Sequence, residues 1–381
     1  MNTFLKITKA LNLLRAYADL LFARDKPRAF PVELSLGTSS FCNLRCIQCP
    51  REDRNEGNLM PFDEHIDMAY YQRLAPYLKR AKEVSLYGLG EPMIDRGYFE
   101  KVRYVTSFGA DVSLSSNGTL LDEKRCRETL ASGIKSIGIS LDASTEETFR
   151  VVRPPGGLPA ILENIKRLTR MKREQSVTRP LVKLSFGVMR QNLHDLAAFP
   201  DLAAEAGAEE IVVHPVIYMS AQARQEMSVS RPAMLEQIEI ARTHAARLGI
   251  PFNWWDLDPM TYLLSLEFDR QRVEHSLPEP ERKSDQDHPS YFCFFLWRNA
   301  MVQGQGELFP CCYMTNIRLG KVQNGNVNEL RGHATLAELR RRMFAGDAPA
   351  PCQRCPQLQP FNRRHIIKSG LVELRNLLFH P

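Results

Sequence analysis

Apolar and polar residues alternate along this chain in two different rhythms. At the start, Phe4, Ile7, Leu11, Leu14, Ala18 and Leu21 recur at steps of three and four. That spacing puts them on one face of a helix. Lys6, Lys9, Arg15, Arg24, Lys26 and Arg28 outnumber Asp19 and Asp25 across the same stretch, so 1–28 reads as a basic amphipathic helix. From residue 32 the texture changes. Short β-rich runs occur at 32–36, 83–87, 111–115, 136–140, 182–189 and 210–214, separated by helix-like stretches at 66–80, 98–107, 122–131, 158–172 and 193–206. Asp122 is placed to cap a helix start and Gly133 to end one. Strands alternating with helices of this length predict parallel strands joined by crossovers, in an open partial barrel or a doubly wound sheet. In both, the loops leaving the C-terminal ends of the strands carry the chemistry.

A helix at 234–248 follows, and then the loop-like segment 278–290 (PEPERKSDQDHPS). Runs at 299–302 and 307–309 flank a Gly-Gln-Gly turn and predict a hairpin. A helix around 336–344, a Cys-rich loop and a helical tail at 366–379 complete the chain. The expected divisions are an N-terminal extension at 1–31, a barrel at 32–250, a linker region at 251–292, a small cysteine-bearing domain at 293–360 and a final helix at 361–381.

Composition narrows the class. The chain has 381 residues, 44% of them hydrophobic and 25% charged. This is the profile of a folded protein rather than a disordered chain or a fibre. No apolar run approaches the ~18 residues of a membrane-spanning helix. A net charge of +6 is a mild excess, compatible with an acidic substrate but no argument for nucleic-acid binding. The first apolar stretch is broken by Lys6, Lys9, Arg15 and Asp19, unlike a secretory signal. Eight of the nine cysteines fall in two clusters rather than along a disulfide framework. The expectation is a cytoplasmic chain whose reduced thiols serve metal binding or redox chemistry.

Cys42, Cys46 and Cys49 form C-x3-C-x2-C just after the first predicted strand. Three thiolates on one short loop suit three corners of a cubane iron–sulfur cluster and leave its fourth iron open. Zinc wants four protein ligands, and the nearest histidine, His65, is not close by in sequence. The second strand ends in Tyr87-Gly88-Leu89-Gly90-Glu91-Pro92, the third in Ser115-Ser116-Asn117-Gly118, and the fourth reads Ile137-Gly138-Ile139-Ser140-Leu141-Asp142. In this order the motifs resemble the radical S-adenosylmethionine (SAM) superfamily over about residues 32–250.

The resemblance implies a (βα)6 partial TIM barrel and a [4Fe–4S] cluster on Cys42, Cys46 and Cys49. It also implies reductive cleavage of SAM to a 5′-deoxyadenosyl radical, with flavodoxin or ferredoxin as the kind of electron donor. In that frame Gly88 and Gly90 would let backbone carbonyls approach the SAM amino group, and Glu91 would accept a hydrogen bond or orient its strand end. Ser116 and Ser140 would meet the ribose or the carboxylate, Arg153 would pair with the SAM carboxylate, and 188–192 and 213–215 would flank the adenine.

Cys293, Cys311, Cys312, Cys352 and Cys355 make the second group. With Gly306-x4-Cys311 and Cys352-x2-Cys355-Pro356, it resembles the SPASM and twitch extensions of radical SAM enzymes, a small C-terminal α+β iron–sulfur domain. No cysteine follows Cys355, which implies the shortened form with one auxiliary [4Fe–4S] cluster on Cys293, Cys311, Cys352 and Cys355. Cys312 remains an alternative to Cys311, and zinc an alternative to the cluster. Cys126 reads as a core thiol.

A fully ligated second cluster suits an electron conduit and hence an oxidoreductase acting on a sugar, cyclitol or related alcohol. The competing enzyme reading is a maturase of a ribosomally made peptide. Only 31 residues precede the first strand, which weighs toward the small molecule. A reading of another class is a non-catalytic iron–sulfur or zinc protein. Asp142 and His214 end strands and are the candidates for substrate acid–base work, against capping toward Thr145 for Asp142 and a structural role for His214. Arg363, Arg364, Lys368 and Arg375 face only Glu373 beside the stripe Ile367, Leu371, Leu374 and Leu378. Packing of both terminal helices on the barrel is preferred here to peripheral membrane contact.

Overall fold

A computed structural model describes residues 3–49, 51, 65–88, 90–275, 290–303, 306–323, 326–353 and 355–379. Its strands are β1 (Glu33–Leu36), β2 (Glu83–Leu86), β3 (Asp111–Ser116), β4 (Ser136–Ser140), β5 (Leu181–Val188), β6 (Glu210–Pro215), β7 (Phe252–Trp254), β8 (Tyr291–Cys293), β9 (Asn299–Gln303), β10 (Glu307–Phe309), β11 (Gly320–Lys321) and β12 (Leu358–Pro360). β1 to β7 pair in sequence order, all parallel, with helices between them. This is an α/β partial barrel, extended by a small C-terminal unit with antiparallel pairing.

The sequence explains most of the elements. Ile211, Val212 and Val213 are buried in succession on β6, as expected of a parallel strand covered on both faces. The Asp122 carboxylate accepts from Arg125 N at 2.8 Å and starts the helix Glu123–Ala131, and Gly133 follows at a φ of 76°. The stretch 66–80 is two short helices, Met68–Arg73 and Ala75–Leu78, because Pro76 lacks the N–H that would continue the first. The region expected as a linker, 251–292, holds β7 and the helix Thr261–His275; the segment 278–289 within it lies outside the described residues.

Long-range pairing ties the C-terminal unit to the barrel. β9 pairs parallel with β1, Leu34 opposite Ala300, so the hairpin β9–β10 and then β11 extend the barrel sheet past its first strand. Two buried guanidiniums fasten the joint. Arg331 donates to Ala29 O at 2.7 Å and to Trp297 O, and Arg340 donates to Leu296 O and Asp25 O, each at 2.7 Å.

The helices Thr3–Leu21 and Arg363–Phe379 pack together at the N-terminal ends of the strands, opposite the cysteine loop. Gly370 lies so close to Tyr17 that a Cβ there would sit 3.0 Å from its ring. Asn12 donates to Phe30 O at 3.1 Å and to Arg80 O at 3.3 Å, and buried Lys9 donates to Ala81 O.

Burial pulls Lys9 from 10.5 down to about 8, with Asp111 opposing. The unfolded chain keeps that proton up to about 10.5, so folding gains stability as pH rises from about 8 toward 10.5 and has none of that gain below 8. Urea melts of wild type and Lys9→Met should therefore diverge in this window, by up to about 1.4 kcal/mol per pH unit. Parallel curves would contradict the assignment.

Candidate functional site

The first cysteine loop leaves the C-terminal end of β1 and is clamped from two sides. On one side Gly90 N donates to Ser39 O at 3.1 Å and Glu91 N to Phe41 O at 2.7 Å. A Cβ on Gly90 would stand 2.3 Å from Phe41 O, so no other residue fits. Gly90 thus secures the cysteine loop, a different use of the glycine from an approach to SAM; Gly88 sits similarly, a Cβ there falling 3.0 Å from Ser39 O. On the other side Arg45 N donates to Pro154 O at 2.6 Å and Ile47 N to Val152 O at 3.1 Å.

Between these clamps Cys42, Cys46 and Cys49 are half-buried. Leu44 N lies 3.5 Å and Asn117 Nδ2 3.9 Å from Cys42 Sγ, and Arg153 Nη1 lies 3.7 Å from Cys46 Sγ. Burial pushes the Cys46 thiol up to about 12, against the pull of Arg153. A thiol this reluctant to ionise alone, with N–H donors at Cys46 and Cys42, suits a cationic iron–sulfur core that replaces the thiol proton.

The strand ends behind the loop form a buried polar scaffold. The Glu91 carboxylate accepts from Ser116 Oγ at 2.9 Å, Asn117 N at 2.7 Å and Met93 N at 3.1 Å, while desolvation raises its pKa. Ser116 also accepts from Gly118 N at 3.0 Å. Its hydroxyl is spent inside the scaffold rather than turned toward a ribose. Ser140 is more open, 3.2 Å from Ser185 Oγ.

Arg153 and Asp142 take roles the sequence did not suggest. Both are buried. Arg153 Nε donates to Asp142 Oδ2 at 2.8 Å and Nη2 to the same oxygen, while Nη1 faces Cys46, so the guanidinium joins Asp142 to the cysteine loop. Asp142 further accepts from Gln48 Nε2 at 2.7 Å and Gly187 N at 2.6 Å. This leaves it a poor acid–base group. It does not cap toward Thr145 either: Asp195 accepts from Ser144 N and Thr145 N, at 2.8 and 3.0 Å. His214, at the end of β6, stacks on Trp255 with its Nδ1 3.1 Å from Pro215 O.

The second group lines a cavity of about 100 Å³ that includes Cys293, Cys311, Cys312, Cys352 and Cys355. Antiparallel pairing of β8 with β12 sets Cys293 opposite Leu358, and Cys355 N donates to Cys352 O at 3.0 Å, which turns the C-x2-C segment inward. Burial raises the thiols of Cys293, Cys311, Cys352 and Cys355, Cys293 to about 12, and for all but Cys355 neighbouring thiols add to the rise. Cys311 and Cys312 both reach the cavity. Among the described residues no three His, Cys, Asp or Glu side chains gather around a point as one metal ion requires. A cubane binds each thiolate to a different iron, and its ligands need not converge so tightly. Cys126 stands apart, buried, 3.4 Å from Leu121 O.

Sequence reading missed Asn117, Gln48 and Tyr87 as site residues. Asn117 was within a recognised motif. Tyr87, directly after β2, also stood at the head of a recognised motif; burial and Cys312 and Cys311 raise its hydroxyl.

Sequence comparison matches residues 36–198 to the radical SAM superfamily and 293–356 to the iron–sulfur cluster-binding SPASM domain. A probable GTP 3′,8-cyclase of Saccharolobus islandicus is 30% identical over 188 residues, 48% of this chain and 58% of that protein. An Fe-coproporphyrin III synthase of Methanosarcina barkeri is 24% identical over 208 residues, 53% of this chain and 49% of its own. The chain thus spans about half the length of the curated relatives it matches. The crystal structure of Streptococcus suis SuiB bound to its precursor peptide SuiA has the same fold, with a TM-score of 0.59 at 12% identity over 87% of this chain and 68% of that one.

Proposed function

Because this chain is a radical SAM protein with a C-terminal SPASM iron–sulfur domain, we propose that it cleaves SAM reductively and abstracts a hydrogen atom from a small polar substrate, a sugar, cyclitol or related alcohol, which it oxidises. One observation carries this: two separate thiol-lined sites on one scaffold, a three-cysteine loop at the C-terminal edge of the parallel strands and a four- to five-cysteine cavity in the C-terminal unit. In this reading Cys42, Cys46 and Cys49 hold the SAM-binding [4Fe–4S] cluster, and Cys293, Cys311 or Cys312, Cys352 and Cys355 hold the auxiliary one. When bound, the first supplies the electron that splits the sulfonium C–S bond, and the second an acceptor for the electron a substrate radical must lose to become a carbonyl.

The chain's own residues do the rest. Asn117 and Arg153 direct N–H groups at Cys42 and Cys46 and offset thiolate charge. Glu91 and Asp142 fix the strand ends from which those donors project. His214 is the group proposed to take the substrate hydroxyl proton, through the nitrogen not engaged with Pro215. The names of both curated relatives describe chemistry on small molecules, which supports the small-molecule reading over a peptide one.

The test is deuterium transfer from labelled candidate alcohols into 5′-deoxyadenosine. Transfer from a peptide instead would replace the substrate half of the proposal; no 5′-deoxyadenosine with SAM and dithionite would overturn all of it. The oxidative half has its own check. Cys352→Ala/Cys355→Ala should keep 5′-deoxyadenosine formation within about threefold of wild type while losing the oxidised product. Undiminished product would remove the second site from the reaction.

A further inference from the structure

Nine of the fifteen large hydrophobic side chains left exposed among the described residues lie on, or directly after, the first and last helices. The inward face of Thr3–Leu21 is occupied as expected: Leu13, Ala16, Tyr17 and Leu20 are buried. Its outward face is apolar too, with Ile7 52%, Leu11 51% and Leu14 49% exposed. Beside it, the helix Arg363–Phe379 exposes Ile367 at 49% and Leu371 at 62%. Scattered exposed apolar residues need no explanation; a concentration of this kind does.

The charges around this surface have one sign. Arg15, Arg363, Arg364, Lys368 and Arg375 are exposed. Each helix has a single acid, and both acids turn inward: Asp19 pairs with Arg24 at 2.9 Å and Glu373 with Arg298 at 2.9 Å. At the foot of the two helices, Lys6, Lys82, Lys135 and Arg179 line a groove of about 610 Å³ that also touches Asn376 and Leu377. Asp111 is the only acid lining it, shared by Lys135 at 2.9 Å and Arg179 at 3.5 Å, while Glu83 pairs with Lys82 at 3.0 Å. Four cations therefore meet Asp111 and Glu83, with Glu373, itself paired with Arg298, acting on Lys82 as well.

We propose that the outward faces of these two helices form a peripheral docking surface for a bilayer containing anionic phospholipid, with the basic groove receiving headgroup phosphates. Apolar side chains enter the headgroup–acyl boundary while flanking Lys and Arg meet the anionic surface. A second copy of the chain is a poorer occupant, since it would bring two basic faces together. No helix among the described residues is long and apolar enough to cross a membrane, so the contact is along the surface. Asp111, Lys135 and Arg179 lie at or just before the N-terminal ends of β3, β4 and β5. Docking at this end leaves the cysteine loop, at the other, facing away from the lipid.

The experiment is flotation of the full iron-loaded chain with phosphatidylcholine vesicles, with and without phosphatidylglycerol. Binding should be at least about tenfold stronger to the anionic vesicles and should weaken as salt rises. Leu11→Ser/Leu371→Ser and Lys6→Glu/Arg179→Glu should each lose it while retaining SAM cleavage and thermal stability. If the first pair unfolds the chain, the charge pair and the salt series still decide. Equal retention on both vesicle types, retention on neither, or undiminished binding by the charge pair overturns the proposal. So does concentration-dependent self-association that the substitutions abolish, which would assign the face to a second copy.

Discussion

Replacing Cys42, Cys46 and Cys49 together by alanine should reduce 5′-deoxyadenosine formation from SAM by at least about a hundredfold, to the level of the reductant alone. The size of the effect follows from the proposed role: the thiols are the only covalent hold on the cluster that supplies the electron. The clean reading of such a variant depends on whether the loop survives without them, and the geometry says that it does. Its clamps are backbone bonds, Gly90 to Ser39, Glu91 to Phe41, Arg45 to Pro154 and Ile47 to Val152, none of which uses a thiol. Near-wild-type melting of the apo variant, loss of the iron and sulfide assigned to this loop, and retention of the C-terminal iron would together locate the loss in the site rather than the fold. Wild-type cleavage by the triple variant, or wild-type protein that takes up zinc and no sulfide, would end the mechanism.

The cysteine groups were legible because their spacing is local: C-x3-C-x2-C and C-x2-C each lie within a few consecutive residues. The strand–helix alternation and stops such as Asp122 and Gly133 were legible for the same reason. What the sequence hid was settled by distance along the chain. Arg153 and Cys46 are 107 residues apart, Asn117 and Cys42 75 apart, and neither motif announces the other. The C-terminal unit looked separable because the stretch 251–292 before it read locally as a linker; only pairing of β9 with β1, and Arg331 and Arg340 reaching back to 25–29, reveal that it is fastened to the barrel. The outward apolar faces of the terminal helices were visible as a stripe, yet a stripe alone does not tell an inward face from an outward one. Thr3–Leu21 has both.

Removing the Asp142 carboxylate should be among the costliest single changes in the barrel. Asp142→Ala strands the buried Arg153 guanidinium, the Gln48 amide and Gly187 N at once, and breaking one side of a buried ion pair costs about 3–5 kcal/mol. Position 142 adds a backbone demand: its φ is 57°, in the left-handed region that Asp and Asn tolerate better than Ala. Asp142→Asn tolerates that conformation and keeps an acceptor for Gly187 N, but it loses the charge and sets an amide NH2 where Oδ2 accepts from Arg153 and Gln48. Urea melts should therefore order wild type, then Asn, then Ala, with Asn recovering part of the loss. Arg153→Met should be much less costly in the Ala background than in wild type, since the charge it removes is already unpaired there. SAM cleavage should follow the same order, because Arg153 reaches Cys46 only while Asp142 holds it. A substrate acid or base at this position behaves otherwise: Asn would be as inactive as Ala in turnover, with stability almost unchanged. The two roles separate on the Asn variant, and the four bonds the carboxylate already accepts, from three residues, favour positioning.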